Sequence, residues 1–175
     1  NDSGITRRII DFSNLIFGKF KGGLGGINVF ASMIFGGISG SSSSDTASVG
    51  AILIPEMHSR GYPLNYSAGI TVASSTMGMI IPPSVPMILY SVIAEESVGK
   101  LFLAGAVPGL MIGVFQLGIN FFLSYRRDYP REDFHYSVRF VLKTVQTSLV
   151  ALIMPLFVVG TVVFGVAPAN ESASF

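Results

Sequence analysis

Four long stretches of this chain carry no Asp, Glu, Lys or Arg: 22–44, 66–94, 101–125 and 147–168. A helix that crosses a 30 Å hydrocarbon core needs about 20 consecutive apolar residues. A soluble domain of average composition places a charge at about one residue in four. Here charged residues make up 12% of 175 and the mean hydropathy is +0.61. The chain reads as an all-α integral membrane protein. Its net charge of +1 gives no electrostatic case for nucleic acid. It has no cysteine, which excludes disulfide and thiolate chemistry. It opens at Asn1 and stops just after an apolar run, and is expected to be a piece of a longer protein.

Two of the four stretches are unsuited to a plain spanning helix. The first ends in Gly36-Gly-Ile-Ser-Gly-Ser-Ser-Ser-Ser-Asp45, a Gly/Ser tip that is a poor helix and a poor match to lipid. Two apolar limbs flank it, Ile27–Ile38 and Thr46–Pro55. At about 1.5 Å per residue each limb reaches roughly half of the core. The expectation is a re-entrant helical hairpin over 22–60, entering and leaving on one side. The second stretch contains Ser74-Ser-Thr-Met-Gly-Met-Ile-Ile-Pro-Pro-Ser-Val-Pro86. Three prolines in five positions cannot continue a helix. A discontinuous helix is expected over 65–94, with halves Tyr66–Thr76 and about Ser84 to Ile93. The remainder reads as an amphipathic arm helix over 1–21 with an apolar face of Ile5, Ile9, Phe12, Ile16 and Phe20. A spanning helix follows over 101–125 and a cytoplasmic loop with an interfacial helix over 126–146. A second spanning helix over 147–168 and the start of a further segment over 169–175 complete the chain.

Charge sidedness supports this topology. With a hairpin at 22–60, Arg7, Arg8, Lys19, Lys21, Arg60, Arg126, Arg127, Arg131, Arg139 and Lys143 share one side. Lys100 alone lies opposite, so ten of the eleven basic residues would be cytoplasmic.

The two interrupted elements are expected to meet near the membrane midplane. Broken helices free backbone carbonyls for a hard monovalent cation, and half-helix amino termini face an anionic substrate. Asp45 is the one acid within the apolar stretches. It reads either as a functional carboxylate or, more simply, as the N-cap of the limb beginning at Thr46. A serine hydrolase built on Ser41–Asp45 lacks a base, since His58 and His135 are expected in cytoplasmic connecting loops. No nucleotide-binding or metalloprotease motif occurs. A channel or passive pore is the alternative to a carrier, because channels also use broken helices.

Over Gly22–Gly113 the chain closely resembles the large membrane (permease) subunit of tripartite ATP-independent periplasmic (TRAP) transporters. The strings that carry the resemblance are GGLGGINVFASMIFGGISGSSSSD, IPEMHSRGYPLNYSAGITVASSTMGMIIPPSVPMILYS and GKLFLAGAVPGLMIG. Val163–Ser174 is similar to the segment that opens the family's second, inverted repeat, although Val166, Ala167, Ala169 and Asn170 depart from it. The resemblance implies a secondary carrier of the elevator type within the ion-transporter superfamily. It would sit multi-pass in a bacterial or archaeal inner membrane and import C4-dicarboxylates, sugar acids or sialic acid. It implies sodium as the coupling ion with no organic cofactor. The implied partners are a periplasmic substrate-binding protein, a small four-helix membrane subunit, lipid and the organic acid itself. Carried onto this chain, the first sodium site lies among Ser39, Gly40, Ser41, Ser43 and Asp45 of the tip and Ser74, Ser75, Thr76 and Gly78 of the break. Ser42, Ser44, Pro82, Pro83 and Ser84 are the substrate candidates. A second sodium site would belong to the other repeat.

Overall fold

The computed structural model describes residues 5–131, 144–146, 148–149, 153 and 157–161. Among them the chain is helical and contains no strand. The elements in order are α1 (Ile5–Phe17), α2 (Gly23–Ser39), α3 (Ser42–Ser59), α4 (Leu64–Ser75), α5 (Val85–Ala94) and α6 (Val98–Arg126), with a single 3-10 turn, Thr76–Met79, between α4 and α5. Most of the loop expected at 126–146, the helix at 147–168 and the segment at 169–175, with His135, lie outside the described residues.

Helices α2 and α3 form an antiparallel hairpin. They are linked at Gly40 and Ser41, yet Asn28 near the start of α2 lies 3.7 Å from Met57 Sδ near the end of α3. Both limbs are longer than Ile27–Ile38 and Thr46–Pro55, at 17 and 18 residues. Each therefore measures about 26 Å, not half the core. At the near end the glycine run is helical because neighbours occupy the space a side chain would need. A Cβ on Gly25 would sit 2.0 Å from Asn120 Oδ1. At the tip, Ser42–Ser44 form the first turn of α3, where backbone N–H groups have no helical partner and serine is tolerated. Pro55 does not end α3, which continues to Ser59.

Helix α4 runs parallel to α2, with Asn28 beside Thr71, Ser32 beside Ser74 and Gly36 against Gly78. Helix α6 runs antiparallel to both. Down its length Gly105 meets Ile80 and Met87, Gly109 meets Ile81, Gly113 meets Met33, and Asn120 meets Tyr66 and Gly25. Glycines spaced by four residues let α6 lie close against the interrupted helix. The opposite face of α6 carries exposed Leu103, Val107, Leu110, Val114 and Phe122. At 29 residues α6 is long and apolar enough to cross a membrane, the one such helix among the described residues. It begins at Val98, three residues before the start expected at 101, and ends at Arg126.

Helix α1 packs on α2, with Phe12 and Phe17 against Phe30 at ring-centroid distances of 6.4 and 5.4 Å. Its buried face is Thr6, Ile9 and Ser13, while Ile16 and Phe20 of the expected apolar stripe are exposed. The stripe is divided because one side of α1 turns onto α2 and the rest faces outward. The main core gathers Ile9, Leu24, Ile27, Ala31, Val49, Leu53, Met57, Tyr62 and Tyr129 at the base of the hairpin. Burial pushes the Tyr62 phenol up to about 12, and its hydroxyl donates to the Pro130 carbonyl at 3.3 Å.

Candidate functional site

The hairpin tip rests on the interruption between α4 and α5. Gly40 ends α2 with φ 60°, a left-handed backbone that glycine adopts without strain. Its N–H returns to the Gly36 carbonyl at 2.9 Å and its carbonyl accepts from Val85 N–H at 3.3 Å. A Cβ on Gly36 would lie 2.7 Å from Gly78 Cα, so two backbones touch there. The Thr46 and Ser75 hydroxyls share a hydrogen bond across the same junction.

The break itself is tighter than an unwound run over Ser74–Pro86. Helix α4 persists through Ser75 and Thr76–Met79 winds on as 3-10. Ile80 and Ile81 N–H both reach the Met77 carbonyl, at 2.9 and 2.7 Å. Only the bend Ile80–Ser84 is irregular, and the prolines at 82, 83 and 86 forbid its continuation as helix. Ser84 leads α5 and its hydroxyl donates to the Met79 carbonyl at 2.7 Å, closing the bend.

The structure sorts the candidate residues by depth. Gly40, Asp45, Ser74, Ser75, Gly78, Pro82 and Ser84 are buried in or beside the junction. Ser39, Ser41, Ser42 and Pro83 are half-buried at its rim, with Ser39 Oγ 3.3 Å from the Ser41 backbone. Ser43, Ser44 and Thr76 are exposed. Ser41 and Ser43 hydroxyls pair at 3.1 Å, and Thr76 bonds back to the Ala73 carbonyl at 2.7 Å.

Asp45 is not an N-cap. Helix α3 starts at Ser42, the extended Ser41 occupies the cap position, and Asp45 falls in the first turn. It is fully buried and neither carboxylate oxygen has a hydrogen-bond partner. Ser32 faces the carboxylate, but its hydroxyl lies 3.0 Å from Ser74 Oγ and falls short of hydrogen-bond geometry with Asp45. Burying an unpaired carboxylate is costly, and the first turn of a helix offsets only part of that cost. His58 sits in the last turn of α3 and not in a loop. Thirteen positions of helix, about 20 Å, separate it from Asp45. The described residues gather no group of three or more His, Asp or Glu. What the junction presents is hydroxyl and carboxylate oxygen, the ligand type of hard cations.

Beneath the tip the candidate Ser74 joins three polar residues that the sequence does not single out. Asn28, Ser32, Thr71 and Ser74 are all fully buried and linked to one another between α2 and α4. Their spacing was a usable signal: Asn28 and Ser32 are one helical turn apart, as are Ser67, Thr71 and Ser74–Ser75.

The family model described as the DctM component of tripartite ATP-independent periplasmic transporters matches residues 1–175. A sialic acid TRAP transporter permease protein, SiaT of Haemophilus influenzae, is 37% identical over 99% of this chain and 28% of its own length. The sialic acid TRAP transporter large permease protein SiaM of Vibrio cholerae is 34% identical over 99% of this chain and 40% of its own. The C4-dicarboxylate TRAP transporter large permease protein DctM of Pseudomonas aeruginosa is 37% identical over 98% and 40%. The chain thus spans less than half the length of these relatives. Its helices, its interrupted element and this match across its full length identify it as a member of the DctM family, the large permease component of TRAP transporters.

Proposed function

We propose that this chain is the part of a sodium-coupled organic-acid carrier that holds a coupling cation between the tip of a re-entrant hairpin and a broken helix. The observation that carries this reading is the buried carboxylate of Asp45, without a hydrogen-bond partner, beside a junction of hydroxyls and backbone bends. A cation there would neutralise the carboxylate at a depth where water cannot. Ser39, Gly40, Ser41, Ser43, Ser74, Ser75, Thr76 and Gly78 are the remaining tip and break positions around that cation. Ser42, Ser44 and Pro82–Ser84 are on the side offered to the acid, where the start of α5 favours negative charge. The substrate is an acid of the sialic acid or C4-dicarboxylate type, following the names of the relatives. The whole carrier would work by elevator motion in an inner membrane, with a small membrane subunit and a periplasmic binding protein delivering the acid. The chain is not an enzyme on this reading: relatives are named permeases, and among the described residues no histidine stands near the tip serines.

The test is uptake by the full-length carrier in proteoliposomes with its binding protein, at graded sodium. Replacement of Ser75 by Leu should raise the sodium needed for half-maximal uptake at least tenfold. Saturable sodium-driven uptake supports the carrier. Unsaturable flux indifferent to sodium would instead favour a pore.

A further inference from the structure

We propose that Asn28 is a positioning residue: its carboxamide clamps α2 to α4 and thereby sets the spacing of the cation site one helical turn above it. This rests on the function proposed above.

The Asn28 side chain is fully buried in α2, where Ser32 is its nearest polar neighbour on the same helix. Its Nδ2 donates to Thr71 Oγ1 at 2.7 Å and has Met57 Sδ of α3 at 3.7 Å. Its Oδ1 lies 3.1 Å from Ser74 Oγ. One carboxamide of α2 thus reaches both α3 and α4. Thr71 passes its own proton to the Ser67 carbonyl at 2.8 Å, which leaves its oxygen to accept from Asn28 and fixes the direction of the chain. Ser74 Oγ has three acceptors within 3.1 Å, namely Asn28 Oδ1, Ser32 Oγ and the Thr71 carbonyl. Ser74 has one proton for these three; given to Asn28 Oδ1, it leaves Ser74 Oγ to accept from Ser32, the residue that faces Asp45.

Elementary energetics makes this clamp selective. Every group in it is buried, so slippage of α2 along α4 by one residue would strand several polar groups without partners. Apolar packing between the same helices would tolerate small slips, because dispersion contacts are undirected. The clamp lies on the register in which Gly36 touches Gly78 and Thr46 meets Ser75. It makes no contact at the tip itself. Its effect reaches the cation through Ser74, Ser32 and helix register, which is what distinguishes a positioning residue from a ligand.

The experiment uses the full-length carrier with its partner proteins, comparing wild type with Asn28→Ala, Thr71→Val and Thr71→Ser. Thr71→Val is nearly isosteric and removes the hydroxyl that accepts from Asn28 and donates to the Ser67 carbonyl. Thr71→Ser keeps it. The expected result is a five- to twentyfold rise in the sodium concentration for half-maximal uptake in Asn28→Ala and Thr71→Val. The KM for the acid at saturating sodium should stay within twofold, and Thr71→Ser should match wild type. An unchanged sodium requirement in Thr71→Val, with uptake lowered only in maximal rate, overturns the clamp and leaves a merely structural role. Should Asn28→Ala fail to assemble, the Thr71 pair decides alone. Wild-type uptake indifferent to sodium would overturn the coupling proposed above, and the clamp's role in it, before any variant is compared.

Discussion

Asp45 shows how far residue-level reasoning reaches. Its depth follows from composition, because it is the acid between two uncharged limbs. Its role does not follow, because the cap reading assumed that four serines cannot begin a helix. In the fold Ser41 takes the extended cap conformation at φ −141° and the next three serines become the first turn. That step depends on tertiary packing against the 3-10 turn, which no local propensity encodes. The consequence is a prediction. Replacing Asp45 by Asn keeps the shape, removes a buried charge that costs several kcal/mol, and leaves no cap to lose. Thermal stability of the full-length carrier should hold or rise, while sodium-driven uptake falls at least tenfold. A cap would give the opposite pairing, lowered stability with uptake largely kept. Melting temperature and uptake measured on one preparation separate the two.

At the scale of elements, the hairpin and the broken helix are both visible in the sequence as interruptions of uncharged runs. Their contact is not. Nothing local says that Gly36 and Gly78 meet, since the two lie in different elements. The relation is spatial, created when α2 and α4 run parallel in the register set by Asn28 and Thr71. Helix ends also run past the propensity signals where packing overrides them, as in the glycine run of α2 and at Pro55. The Gly36 contact is open to a direct test because backbone on backbone cannot yield as a flexible side chain does. Gly36→Ala would put a methyl 2.7 Å from Gly78 Cα and should destabilise by about 1–3 kcal/mol. Gly69 and Gly118 sit in helices with no atom within 4 Å of an added Cβ. Alanine there should be neutral or stabilising by up to about 1 kcal/mol. Thermal or denaturant unfolding of the three variants gives the ranking, and equal effects at all three would refute the close approach.

The described molecule is uneven from base to tip, and the unevenness has a functional sense. At the base, segments distant in sequence are held by several independent ties. Lys21 pairs with Asp128, whose carboxyl is held below the usual range by that hydrogen bond and charge. Gly22 N–H donates to Pro130 at 3.3 Å, Asn120 Nδ2 donates to Gly22 at 3.3 Å, and Tyr66 donates to Asn120 Oδ1 at 2.6 Å. The rings of Tyr62, Tyr66 and Tyr129 pack together beside them at centroid distances of 4.8 to 6.2 Å. Beyond Ser74, by contrast, the hydrogen bonds described between the hairpin tip and the break are one backbone bond and one hydroxyl pair, next to a carboxylate with no hydrogen-bond partner. Local opening follows the density of such ties. A cation that binds between hairpin and break would therefore stabilise the tip by mass action and leave the base as it is. Hydrogen exchange on the full-length carrier, with sodium and with an equal concentration of a large organic cation, resolves this by peptide. Residues 36–46 and 75–85 should exchange fastest without sodium and slow at least threefold when it is added, whereas 20–24, 60–66 and 120–130 should stay protected and unchanged. A sodium effect confined to the base, or spread evenly over the molecule, would place the cation elsewhere and break the link between the interrupted helix and the coupling site.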